Sequence, residues 1–200
     1  MKKTIVILST ILLSGIGFTG CQKKGANDPS ISLHGRKARL TGEWTLSAGT
    51  STDVSGGSTS TTTMTSTSAT MTSGTVTTVY TYSDKLSFEK DGTWKEVTTA
   101  SASGFMDTYT TSGTWNWTGG VGDLKKREQI VLKTLSSSDV QTLGTATTTT
   151  ADTYTGDDAP SMVYEIDELK NKELIVIWDG TTSSSPGGVS SSKGSMTYIQ

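Results

Sequence analysis

Along much of this chain, apolar residues return at every second position, the spacing of a half-buried strand. In Leu40-Thr-Gly-Glu-Trp-Thr-Leu46, Leu40, Gly42, Trp44 and Leu46 share one face. Val76, Val79, Tyr80 and Tyr82 predict another strand. The segment Leu86-Ser-Phe-Glu-Lys-Asp-Gly-Thr-Trp94 carries Asp91-Gly92, a hairpin signal. A two-residue loop would set Trp94 opposite Glu89. A three-residue loop with Gly92 left-handed sets Trp94 opposite Phe88 and buries both rings on one face, so it is preferred. The same register puts Glu96 opposite Leu86, which means either a bulge or a polar group inside. Further strands are expected at Gly113-Thr-Trp-Asn-Trp117, at residues 128–135 around Ile130 and Leu132, and at Met162, Tyr164 and Ile166. Leu174-Ile-Val-Ile-Trp178 is apolar on both faces and should be well covered. Residues 196–200 form a closing strand, while 136–159 and 180–194 read as polar connections. The pattern predicts an all-β fold of about eight or nine strands with no helix. Consecutive hairpins make an antiparallel up-and-down meander its simplest topology.

Residues 48–74 nearly lack large apolar side chains, and Thr63-Met-Thr-Ser-Thr-Ser-Ala69 is echoed by Thr70-Met-Thr-Ser-Gly-Thr-Val76. Two copies are too few for a solenoid. The segment reads as a low-complexity insertion, either disordered or an exposed β-extension. Composition sharpens the choice of class. Thr and Ser fill a third of the chain, with 39 and 28 residues, and the hydrophobic fraction is 32%. Such values point toward disorder. Thr is β-branched and suits strands, however, and the five tryptophans fall in patterned segments. A thin-walled β domain with long Ser/Thr-rich loops follows.

The first residues change the picture of compartment. Lys2 and Lys3 precede an apolar run from Ile5 to Phe18. That run is shorter than the roughly 20 residues of a membrane span and ends in small residues, as a secretion signal does. Phe18-Thr-Gly-Cys21 resembles the lipobox of bacterial lipoproteins, with Phe18 where leucine is usual. Cys21 is the only cysteine, so no internal disulfide competes for it. The resemblance implies a signal peptide over 1–20, diacylation of Cys21, and a membrane partner reached through that lipid anchor. Two acyl chains hold a protein stably at a bilayer. Gln22 after the cysteine favours the outer membrane of the cell envelope over the inner, and polar residues 21–38 read as a flexible tether.

Without Lys2 and Lys3 the chain keeps 15 of its 17 basic residues against 19 acidic ones, a net charge of −4. That balance argues against a nucleic-acid partner, and Lys125-Lys126-Arg127 reads as a solvated loop. His34 is the only histidine and lies in the tether, so neither an imidazole metal site nor a Ser-His-Asp triad is expected. Gly15-Ile-Gly-Phe-Thr-Gly20 matches a dinucleotide fingerprint only inside the signal segment. Ser190-Ser-Ser-Lys193 lacks the companion motifs of serine acyl enzymes. Asp157-Asp158 lacks calcium-loop spacing. The reading is a non-enzyme without cofactor or metal. Asp107-Thr108-Tyr109 and Asp152-Thr153-Tyr154 loosely resemble bacterial O-glycosylation acceptors.

Leu40-Thr-Gly-Glu-Trp44, Leu86-Ser-Phe-Glu-Lys-Asp-Gly-Thr-Trp94, Gly113-Thr-Trp115 and Tyr164-Glu-Ile-Asp-Glu-Leu169 together resemble the lipocalin-like lipoprotein domains common in Bacteroidetes. The match covers residues 40–200 with large interruptions. It implies a calyx-like antiparallel barrel over 39–200, of a size that holds core side chains or one small ligand. The aromatic residues Trp44, Phe88, Trp94, Trp115, Trp117, Tyr164 and Trp178 are then either core or the lining of a site for a small apolar or amphipathic molecule. The alternative is a structural module of the envelope whose Thr-rich loops meet another protein or a glycan.

Overall fold

The structure is a computed structural model describing residues 35–119, 128–184 and 188–200. The expected signal segment, Cys21, His34 and the basic run at 125–127 lie outside the described residues. The fold is all-β and antiparallel. Its strands are β1 (Gly42–Ser55), β2 (Ser58–Thr65), β3 (Ser68–Ser73), β4 (Val76–Phe88), β5 (Thr93–Ala102), β6 (Phe105–Gly119), β7 (Glu128–Leu143), β8 (Ala146–Thr153), β9 (Ser161–Leu169), β10 (Glu173–Ser184) and β11 (Gly188–Ile199). Ten of them close a barrel in up-and-down order and β8 lies outside the ring.

The strand count corrects the expected eight or nine. Residues 48–74 supply the upper half of β1 and all of β2 and β3, paired residue by residue. The expected polar connections at 136–159 and 180–194 hold all of β8 and the upper parts of β7, β10 and β11. Threonine accounts for both results. Its branched Cβ favours extended backbone, and the ladder hydrogen bonds need no apolar face.

The barrel changes girth along its axis. At the lower end β1 pairs directly with β4, Gly42 to Phe88 and Trp44 to Leu86, so the β2–β3 hairpin is bypassed and eight strands make the ring. Higher up, β1 leaves β4 and the hairpin fills the space between them. β8 and β9 run in the same direction along β7, β8 against its upper half and β9 against its lower half. Between them a short 3-10 turn at Gly156–Asp158 loops out, with its flanks tied to β7 by Tyr154 N–H to the Leu135 carbonyl and Thr134 N–H to the Pro160 carbonyl, each 2.8 Å. β10 pairs with β9 only from Leu174 to Ile177. Its upper part, residues 178–184, pairs with β11 on one side and with no described strand on the other. The wall therefore has a slot between upper β10 and β8.

The β4–β5 turn takes the three-residue form. Phe88 pairs with Trp94 and Leu86 with Glu96, Glu89 N–H bonds the Thr93 carbonyl at 2.8 Å, and Gly92 has φ +94°. Only glycine adopts that backbone without strain. Glu96 is thus a polar group inside, not a bulge.

The core fills the eight-stranded end. Trp44, Phe88, Leu174 and Val176 are fully buried, with Trp94, Trp115, Ile130, Leu132 and Ile166 packed among them. Phe88 meets Trp115 edge-on at 5.6 Å, and Trp115 meets Trp117 edge-on at 5.8 Å, the geometry that aromatic quadrupoles favour. A helix, α1 (Arg36–Leu40), plugs this end and corrects the expectation of no helix and of a tether running to residue 38. Five residues are too few to display a helical period in sequence. Leu40 is fully buried, the Trp44 indole donates to the Leu40 carbonyl at 2.8 Å, Arg36 pairs with Glu128, and Arg39 donates to the Leu169 carbonyl.

Candidate ligand site

Strand alternation carries the inward face upward from the packed end. On β4 the residues above Phe88 and Leu86 on that face are Asp84 and Tyr82, and on β5 the one above Trp94 is Glu96. Asp84 and Glu96 are diagonal neighbours on adjacent strands, so their carboxyl groups share one region of the interior. Tyr198 reaches them from β11, donating its hydroxyl to Asp84 Oδ2 at 2.9 Å. Thr111 on β6 donates to Glu96 Oε2 at 3.4 Å. Asp84 is 1% exposed, and its Oδ1 has no hydrogen-bond partner among the described residues.

Burial sets the protonation of this cluster. It pushes the Asp84 carboxyl up to about 6, against the pull of the Tyr198 hydrogen bond. Burial, then repulsion from Asp84, pushes Glu96 up to about 8. The hydroxyls of Tyr82, Tyr164 and Tyr198 are held above the ordinary tyrosine range by burial first and by both carboxyl groups after it. The three phenols are therefore neutral donors at physiological pH, facing two carboxyl groups that burial and mutual repulsion keep from ionising together.

Tyr164 links the cluster to the slot. Its ring meets Trp178 of β10 at 6.0 Å and an interplanar angle of 65°. The Trp178 indole lies over Gly194, where a Cβ would stand 2.3 Å from the ring, and donates to Ser192 Oγ at 3.0 Å. Glycine at 194 is what lets the indole lie flat against β11. Beside Trp178 the slot opens into a cavity of about 630 Å³ whose lining includes Asp53, Val54, Met162, Val163 and Asp179. This lies within the usual range of small-molecule sites. A hollow of about 230 Å³ on the outer wall beside Lys85 and Lys95 falls below that range.

The aromatic residues singled out by the sequence divide between two places. Trp44, Phe88, Trp94 and Trp115 belong to the packed end, with Trp117 against them. Tyr164 and Trp178 stand at the boundary between core and cavity. Sequence reasoning missed Asp84, Tyr82, Tyr198 and Gly194, although the alternation of Tyr82, Asp84, Leu86 and Phe88 is a signal that could have placed the first two. Asp107 and Asp152, weighed as parts of glycosylation motifs, turn to the inner face. Among the described residues no three histidine, cysteine or acidic side chains converge as a metal-ligand set. No protein-family model, curated protein or solved structure matches this chain.

Proposed function

We propose that this protein is an exported, lipid-anchored and non-catalytic barrel that binds a small amphipathic molecule through the slot in its wall. The observation that carries the reading is the cavity of about 630 Å³ beside Trp178, set where β10 parts from β9. An aromatic face, Met162 and Val163 offer apolar contact, and Asp53 and the serines of β11 offer polar contact. The packed end gives this site a rigid floor. Lys2, Lys3, the apolar run and Cys21 support export and acylation, and Gln22 supports the outer membrane.

Two measurements test the reading. Native mass spectrometry of the chain exported from a bacterial host should show a bound small molecule that Trp178→Ala loses. An empty protein, or one whose ligand survives Trp178→Ala, would count against the slot. A Cys21→Ser chain should fail to incorporate labelled palmitate and leave the membrane fraction. A second reading, an envelope module docking another protein by strand addition, draws on the outer edge of β8 and the upper edge of β10, both unpaired among the described residues.

A further inference from the structure

Acidic side chains stand on both faces of this barrel, Asp179 lying opposite Lys193 on the outer one, but the lysines of the described strands keep to the outer face. Strand register turns Asp53, Asp84, Glu96, Asp107, Asp139 and Asp152 inward above the packed end. Lys85, Lys95, Lys133 and Lys193, on the same walls, alternate outward. No described lysine or arginine faces the interior above the core, since Arg36 and Arg39 sit in the plug at the other end. Asp107 and Asp139 repeat the pattern near the open end, each with a buried Oδ1 lacking a partner among the described residues. The walls thus build an interior of one sign, and low-dielectric surroundings strengthen its field.

We propose that the ligand is an organic cation, an amphipathic ammonium whose charged group reaches Asp84 and Glu96 and whose apolar body lies against Trp178 in the slot. This inference rests on the ligand-binding reading above and names the chemistry of that site's occupant. Asp84 Oδ1 is buried without a partner among the described residues, as an acceptor awaiting a donor or a positive charge is. Tyr164, which lies in the field of both carboxyl groups, meets Trp178 of the cavity lining, and aromatic faces attract ammonium groups. Two carboxyl groups without a third ligand make a poor cage for a bare metal ion and a good counter-charge for a bulky ammonium. Near neutrality the pair retains about one proton and carries about one negative charge; an ammonium beside it neutralises that charge and favours the ionised form of the second carboxyl, so that part of the proton leaves to solvent.

The test compares three probes with one tail on the full chain at physiological ionic strength: octyltrimethylammonium, 1-octanol and octanoate. Calorimetry should show the ammonium binding at least about tenfold tighter than the alcohol, octanoate binding weakest, and protons released on ammonium binding at pH 7. Glu96→Gln and, separately, Asp84→Asn should erase that preference and the proton release, so that each variant binds the ammonium and 1-octanol alike. Near-ultraviolet dichroism of the tryptophans checks that both variants keep the fold. Equal binding of alcohol and ammonium, or a preference that survives both variants, overturns the charge inference and leaves ligand binding standing. Binding of none of the three overturns both.

Discussion

Glu96 makes the stability of this barrel depend on pH in a direction opposite to that of most carboxyl-rich proteins. In the unfolded chain its carboxyl titrates near 4.5, and in the fold near 8. Between those values the unfolded chain has released the proton and the folded one retains it, so folding binds protons and stability falls as pH rises. Below pH 4.5 both states are protonated and the full stability is present. Above 8 both are ionised and the loss is complete. One pKa unit is about 1.4 kcal/mol, and with some solvent reaching Glu96 the loss is on the order of 3 kcal/mol. That is a large share of the roughly 5–15 kcal/mol that holds a domain together. Asp84, raised from 3.8 to about 6, adds a smaller loss of the same sign over the lower part of the window. Burial, then a side-chain hydrogen bond with Asp139 and repulsion from it, also raises Asp107, with the same sign. The tyrosines titrate far above the window, and the lowered carboxyl groups Asp91 and Glu173 below it. The assay is urea unfolding of the ligand-free chain followed by tryptophan fluorescence at pH 4.5, 6 and 8, in a His34→Gln background that removes the only imidazole. The urea midpoint should fall by about 1–2 M from the lowest pH to the highest. Glu96→Gln, which fixes the neutral form, should abolish most of that slope and leave the protein more stable than its parent at pH 8. A midpoint that climbs with pH, or a slope unchanged by Glu96→Gln, would refute the buried-acid account.

Phe88→Ala should cost about 3–5 kcal/mol, because it removes a fully buried ring that meets Trp115 edge-on. Urea unfolding measures it, and a loss under about 1 kcal/mol would mean that the eight-stranded end is loosely packed. Gly113→Ala should cost about 2 kcal/mol or more, because its Cβ would stand 1.8 Å from the Lys133 carbonyl oxygen at the β6–β7 irregularity, where only backbone can give way. Gly180→Ala is the control: the nearest atom to its Cβ is the Ser192 carbonyl oxygen at 4.0 Å, so the melting temperature should stay within about 2 °C.

The packed end is legible in the sequence because period-two alternation there separates indoles from lysines. Phe88, Trp94 and Glu96 are assignable to one face from their spacing, since a single hairpin register buries both rings. The helix Arg36–Leu40 is not legible, for its stability comes from Leu40 in the core and from arginine contacts across the barrel rather than from local pattern. The upper wall is hidden for a different reason. Thr61 and Thr62 are neighbours on opposite faces of β2, so alternation has no contrast there. All of β8 is exposed, and it is held by ladder hydrogen bonds that any non-proline sequence can make.

That difference decides where function should be sought. An aromatic-rich segment draws attention as a candidate binding face, yet Trp44, Phe88, Trp94 and Trp115 are buried in the core at the closed end. They serve as the floor on which the site stands. The proposed site begins where the apolar pattern stops, because a lumen open to water is lined with Ser, Thr and acids. Such a lining cannot display the alternation that marks a strand buried on one face. Its information is the sign of the charges, and this becomes visible only when register states which way each residue turns. Asp53 sits among serines and threonines, and Asp139 follows a run of three serines. Each looks like a solvated loop residue until β11 and β6 are paired beside them. On the proposed reading the low-complexity half of the sequence carries the specificity, and the well-patterned half carries the stability.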